Sequence, residues 1–223
     1  MMLKMLEKKS LHFFMVKKKS LVNGIGDIKT TKKYYDDWSK KYDQTLNQWK
    51  YTVPKKSVNL IKNRLTKPPS FVLDLACGTG LFGEELRSNF KNIDIYGSDI
   101  SRKSLDIAKG KKIYKDLIKM NFEKRINYKL KFDLVSMIGA MTYCKNFHKL
   151  FLNIKYYLSK NGYFIFSHRV DLWEKQNFQY ILEKHKTHFE TIYISRPQNY
   201  LPLNTDFTNK IKIRLVLLQK ISI

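Results

Sequence analysis

The segment Phe71-Val72-Leu73-Asp74-Leu75-Ala76-Cys77-Gly78-Thr79-Gly80-Leu81-Phe82-Gly83 runs an apolar stretch into a glycine-rich turn. Glycines let a ligand approach the main chain closely, and a helix opening at that turn offers unpaired N–H groups. Asp99 follows in Ile95-Tyr96-Gly97-Ser98-Asp99-Ile100-Ser101, where a second apolar stretch ends. A carboxylate there can accept both hydroxyls of an adenosine ribose. Gly78-x-Gly80-x-x-Gly83 also satisfies the dinucleotide fingerprint. In that fingerprint the first glycine follows the strand almost at once, so that the helix start meets a pyrophosphate. Here Asp74 ends the strand ahead of Gly78, and a carboxylate at that point repels a pyrophosphate. It suits a ligand carrying an ammonium and a sulfonium, as S-adenosyl-L-methionine does.

The elements that must position these groups can be read from periodicity. From Thr30 onward Tyr34, Tyr35, Trp38, Tyr42, Leu46 and Trp49 recur every three to four residues, one aromatic stripe on a helix. Pro54 interrupts it; a second amphipathic helix through Val58, Leu60, Ile61 and Leu65 stops at Lys67-Pro68-Pro69-Ser70. Strands are expected at 71–73, 93–96, 117–120, 132–137, 163–167, 191–195 and 211–218. Helices are expected at 80–88, 101–113, about 146–158 and about 172–185, and Asn161-Gly162 makes a turn into the strand at Tyr163. Strands alternating with helices predict an α/β fold with an open, mostly parallel sheet and helices on both faces. Ligands on such sheets sit outside the carboxyl ends of the strands.

Val72 to Gly83 with Gly97-Ser98-Asp99-Ile100-Ser101 resembles motifs I and II of class I S-adenosylmethionine-dependent methyltransferases. Tyr35-Asp36-Asp37-Trp38-Ser39-Lys40-Lys41-Tyr42-Asp43, the Trp49/Tyr51/Pro54 cluster, Phe132-Asp133-Leu134-Val135 and Phe164-Ile165-Phe166-Ser167 extend the likeness over about residues 34 to 220. In order, they resemble the Williams–Beuren-region methyltransferase-like proteins and the bacterial methyltransferases associated with TPR repeats. The resemblance implies a Rossmann-like, seven-stranded, mostly parallel sheet with its last strand antiparallel and an N-terminal helical lid. It implies S-adenosyl-L-methionine as cofactor, held by Asp74, Ala76, Cys77, Gly78, Thr79, Gly80, Asp99, Ile100, Asn121, Phe122, Ile138, Gly139 and Tyr42. Ile138-Gly139-Ala140 should line the floor near the methyl group. Tyr42 and Tyr51 either close over the cofactor or simply pack their helix. Two departures stand out. The family's first loop glycine is Ala76 here, and the acidic residue after the third strand is Asn121, whose side-chain oxygen can still accept from the adenine amine.

Methyl transfer from a sulfonium is an in-line displacement governed by alignment, and it needs a base only if the acceptor carries a proton at attack. Candidates at strand ends are His168 and Arg169, with Tyr143 after the fourth strand; Arg169 could hold a carboxylate or phosphate of the acceptor. No Asn/Asp-Pro-Pro-aromatic tetrad follows the fourth strand, which disfavours exocyclic base amines, and no Pro-Cys dipeptide exists for carbon-5 methylation of pyrimidines. His185 and His188 lack a partnering Glu or Cys, so no metal is expected. The formal charge is +24, but only seven of 43 basic residues are arginine, the better phosphate fork. Lys, Asn, Ile, Tyr and Phe share A/T-rich codons, so base composition accounts for much of the charge. The expected activity is methylation of an oxygen or nitrogen on a small-molecule acceptor. The alternatives are an RNA-directed methyltransferase, an RNA-binding protein using its lysines, and a degenerate cofactor binder serving as a scaffold. Residues 1–29 read as a basic N-terminal extension that frays, residues 30–223 as the methyltransferase domain. Cys77 and Cys144 fit no metal spacing and suit a reducing, cytoplasmic compartment; no stretch is long and apolar enough to span a membrane.

Overall fold

The computed structural model describes Leu21, residues 27–207 and residues 210–221. Apart from Leu21 and residues 27–29, the N-terminal extension lies outside them. Two helices come first, α1 (Ile28–Gln48) and α2 (Val53–Arg64). Asp27 caps α1 by accepting from the Thr30 amide at 2.7 Å, so this helix begins two residues before the aromatic stripe suggests. β1 (Phe71–Leu75), α3 (Leu81–Asn89), β2 (Asp94–Asp99), α4 (Arg102–Gly110), β3 (Asp116–Lys119), β4 (Phe132–Met137), α5 (Phe147–Tyr157) and β5 (Leu158–Arg169) then alternate, closed by α6 (Val170–Lys175), α7 (Phe178–Lys184), β6 (Phe189–Ile194), β7 (Gln198–Asn199) and β8 (Lys212–Lys220).

The strands form one sheet in the order β3-β2-β1-β4-β5-β8-β6, with β7 paired to β8. β1 through β5 pair in parallel, and β8 inserts antiparallel between β5 and β6. Side chains alternate between two cores, as a period of two requires. Val72, Leu134, Ile165 and Leu217 face α2 and α3, against Val58, Ile61, Phe82 and Leu86. Leu73, Leu75, Val135, Met137, Phe164, Phe166, Val216 and Leu218 face the other way, against Phe151, Ile154, Tyr157 and Phe178. Both faces of the central strands are buried, which is why they read as nearly continuous apolar runs.

The expected seven-stranded Rossmann-like sheet with an antiparallel last strand is present, extended by the two-residue β7. Two local readings are corrected. The helix read over about 172–185 is broken into α6 and α7, because Asn177 adopts left-handed backbone (φ 47°) between them. The turn at Asn161-Gly162 is an irregularity inside β5, where the pairing with β4 jumps from Phe132–Leu158 to Leu134–Tyr163.

Candidate functional site

The order β3-β2-β1-β4 places the carboxyl ends of β1, β2 and β4 together, and the glycine loop turns over them. Beyond Leu75 the chain goes left-handed at Ala76 (φ 54°), Gly78 (φ 56°) and Gly80 (φ 93°), and the Cys77 amide donates to the Ser98 carbonyl at 2.9 Å. Around Gly78 a Cβ would meet nothing within 4 Å, so this glycine leaves open space beside the main chain. At Ala76 an L side chain sits where glycine is at ease, at a strain of about 1–2 kcal/mol. Ala76→Gly is expected to stabilise the chain by about 0.5–1 kcal/mol, after the added freedom of glycine in the unfolded chain is set against that relief. A lower unfolding midpoint for this variant in a thermal melt would contradict the strain argument.

Asp74, near the end of β1, is buried, and both its oxygens are occupied: Tyr114 donates to one at 2.8 Å and Ser136 to the other at 2.8 Å. Burial pushes its pKa up to about 7, against the downward pull of those two hydrogen bonds. It stands beneath the loop and does not line the cleft. Gly80, Gly83 and Gly97 all pack against the Tyr114 ring. Gly80 therefore serves as the start of α3 and as a contact for Tyr114, away from the cleft lining. Cys77 is buried beside Gly97, with its Sγ directed to the Gly78 carbonyl at 3.8 Å.

Asp99 does line the cleft. Its carboxylate accepts from the Gly78 amide at 2.9 Å and from the Ser101 amide at 2.8 Å, so the end of β2 and the loop after β1 are fastened to one side chain. Burial raises its pKa to about 6, opposed by those amides. The cleft spans about 630 Å³, its open mouth included. Ala76, Gly78, Thr79, Asp99 and Ile100 form one side; Met120 and Phe122 another; Ile138, Gly139, Ala140 and Tyr143 the far end. Gly139 is left-handed (φ 81°), and its amide donates to Ser167 at 2.7 Å. Asn121 does not line this cleft: its Oδ1 accepts from the Glu123 amide at 2.9 Å, and Met120 supplies the wall instead.

α1 contributes Thr31, Tyr35 and Tyr42 as the remaining wall. Two aspartates on it hold the helix in place. Asp36 accepts from Ser101 Oγ at 2.7 Å, and the same hydroxyl caps α4 by accepting from the Ser104 amide. Asp43 accepts from Thr79 Oγ1 and pairs with Lys111 at 2.7 Å, which also pairs with Glu84 at 2.5 Å. These contacts tie the helix to the glycine loop, to α3 and to α4. Periodicity reveals none of them, because the partners lie tens of residues apart in sequence.

A second cavity adjoins the first and shares Tyr35, Tyr42, Gly139 and Tyr143 with it. Trp38, Tyr51, Tyr200, Leu201 and Phe207 close it, with Arg169 in its wall. Tyr51 thus reaches this second cavity, and Tyr42 both. Arg169 is buried, gripped side-on by Asp171 through Nε at 3.0 Å and Nη2 at 2.5 Å. Tyr143 joins Tyr35 hydroxyl to hydroxyl at 2.8 Å. His168 packs elsewhere, among Phe147, Trp173 and Phe178, with Nε2 3.1 Å from Gln176 Oε1. Burial lowers its pKa to about 4, so it is a neutral core histidine. Among the described residues no group of His, Cys, Asp or Glu is placed to hold a metal, and no helix is long and apolar enough to cross a membrane.

Comparison with known proteins agrees with this architecture. The fold aligns with an S-adenosylmethionine-dependent methyltransferase from Clostridium acetobutylicum at a TM-score of 0.63 and 17% identity, covering 85% of this chain and 100% of that one. It aligns with the plantazolicin methyltransferase BpumL in complex with SAH at 0.60 and 15%, covering 88% and 92%. In sequence, methyltransferase-like protein 27 of Homo sapiens is 32% identical over 125 residues. That match takes in 54% of this chain and 50% of the human protein, so the chain spans about half the length of the curated relative it matches. A family model described as a methyltransferase domain matches residues 67–206, which hold the glycine loop, Asp99 and the end of β4. The chain belongs to the methyltransferase domain family.

Proposed function

We propose that the chain transfers a methyl group from S-adenosyl-L-methionine to a small molecule, with the 630 Å³ cleft as the donor site. The observation that carries this reading is Asp99: a carboxylate lining the cleft, fixed by two main-chain amides, at the end of the strand after the glycine loop. Its remaining lone pairs suit the ribose hydroxyls. Ile100 and Phe122 would sandwich the adenine, and Gly78 and Thr79 would carry the methionyl portion. Asp74 would act from below, its negative charge facing a cationic ligand through the loop. The methyl would point toward Ile138-Gly139-Ala140, at the junction with the second cavity. The catalytic unit is taken as residues 30–223, because α1 supplies a wall of both cavities. Two unpaired, buried cysteines suit work in a reducing compartment. An acceptor of small size is favoured over RNA, because the second cavity lies behind α1 and is walled by aromatic side chains.

Titration calorimetry with S-adenosylhomocysteine, S-adenosylmethionine and NAD tests the reading. Saturable binding of the two adenosyl ligands and none of NAD is expected; the reverse order would overturn it. The pH dependence has a definite sign. Asp74 and Asp99 hold protons up to about pH 7 and 6 in the empty chain, whereas a carboxyl in an unfolded chain releases its proton near pH 4. The unliganded fold therefore loses stability as pH rises from about 4 to 7. A cationic ligand favours the ionised carboxyls and expels protons. Affinity for S-adenosylmethionine should rise through pH 6 to 7, by up to about tenfold per pH unit for each proton released. Affinity independent of pH over that interval would show that neither carboxyl feels the ligand.

A further inference from the structure

We infer that the second cavity takes a small aryl carboxylate and presents its anionic oxygen to the donor methyl. This rests on the proposed function, since it requires the donor in the neighbouring cleft. The first argument is continuity. Tyr35, Tyr42, Gly139 and Tyr143 belong to both cavities, so a molecule in the second one reaches the place where the methyl is expected. The second is surface: Trp38, Tyr42, Tyr51, Tyr200 and Phe207 wall the cavity and offer aromatic faces against which a flat ring can stack.

The third argument is charge. Among the described residues of this wall, Arg169 is the charged one; no carboxylate and no histidine lines it. The carboxylate that grips Arg169, Asp171, lies outside the lining and is partly exposed. The arginine field reaches part of the wall: burial drives the Tyr143 and Tyr200 hydroxyls up in pKa while Arg169 pulls both back down, whereas Tyr42 and Tyr51 feel Asp99 and Asp74 on the donor side. An amine acceptor would become a cation beside the buried Arg169–Asp171 pair, with no carboxylate among the described lining residues to take up its charge. An aryl carboxylate has the opposite balance. Its anion attacks the methyl carbon, the carbon–sulfur bond breaks with its electron pair going to sulfur, and two opposite charges become two neutral products. A chamber of low polarity favours that step over one that keeps its charge. No base is needed, because the acceptor arrives already ionised, and no other group in the cavity is built to be one: the tyrosines there are held protonated.

The test measures binding by ligand-observed NMR on the full chain saturated with S-adenosylhomocysteine, using 4-hydroxybenzoate, benzoate, aniline and benzylamine as probes. The two acids are expected to bind at least about tenfold more tightly than the two amines, by the charge argument above. In Arg169→Met the acids should lose about tenfold while S-adenosylhomocysteine still binds. Tighter binding of the amines to the wild-type chain overturns the inference whether or not the variant folds, as does an arginine variant that keeps full affinity for the acids. If S-adenosylhomocysteine itself fails to bind, the proposed donor site falls and this inference with it. If it binds and the four probes do not, the acceptor class alone is wrong.

Discussion

Asp99→Ala is expected to lower the affinity for S-adenosylhomocysteine by about 100-fold or more. The wild-type carboxylate has two duties. It accepts from the Gly78 and Ser101 amides, which fixes the loop after β1 against the start of α4, and it offers lone pairs to the cleft. Charge-assisted hydrogen bonds contribute about 1.5–3 kcal/mol each, so losing the ribose pair alone accounts for the expected change. The alanine variant also leaves two amides without an acceptor, which lowers stability. Asp99→Asn separates these duties, because its amide oxygen can still serve one amide while the charge is gone. Calorimetry should rank wild type above asparagine and asparagine above alanine. Equal affinity for all three, in chains that remain folded, would remove Asp99 from the site.

The second large effect falls on stability. Gly83→Ala should destabilise the fold by about 2–4 kcal/mol, although glycine-to-alanine changes inside helices ordinarily stabilise by about 0.5–1 kcal/mol. The reason is Tyr114. A Cβ on Gly83 would lie 2.7 Å from Tyr114 Cζ and closer still to its hydroxyl. The ring cannot retreat freely, since Gly80 and Gly97 are packed against it as well. If it moves, Asp74 loses one of the two donors that satisfy a buried carboxyl. Denaturant unfolding should show a lower midpoint with an unchanged slope. Tyr114→Phe in the same background should recover part of the loss by removing the crowded hydroxyl. A Gly83→Ala chain more stable than wild type would show that the third glycine has no packing role.

Much of this was legible in the residues alone. The apolar stretches, the glycine turn and the acidic ends of β1 and β2 are local signals, and local signals survive in a single sequence. The alternation of strands and helices indicated an open, mostly parallel sheet, and the family resemblance carried by the motifs implied its Rossmann-like order and antiparallel strand. The supports were not legible. Tyr114 lies at the start of a weak edge segment, and nothing in its neighbourhood announces that three glycines converge on it. Asp36 and Asp43 read as polar positions between the aromatics of α1, because their partners Ser101, Thr79 and Lys111 are distant in sequence. His168 stands at a strand end and Asn121 where the family resemblance implies an adenine contact; in the folded chain an aromatic cluster surrounds the first, and the Glu123 amide donates to the second. Arg169 was readable as an anion holder; that no carboxylate stands among the described residues lining its cavity was visible only when the chain had folded.

Tyr35 and Tyr42 face both cavities, so one helix is a boundary common to the two. Whatever settles that helix for the first occupant need not be repeated for the second. By thermodynamic reciprocity, the factor by which an occupant of one chamber changes affinity in the other must equal the factor in the reverse direction. If the proposed donor and acceptor occupy them, the two chambers form a single cooperative unit, and an inhibitor lodged in either would report on both.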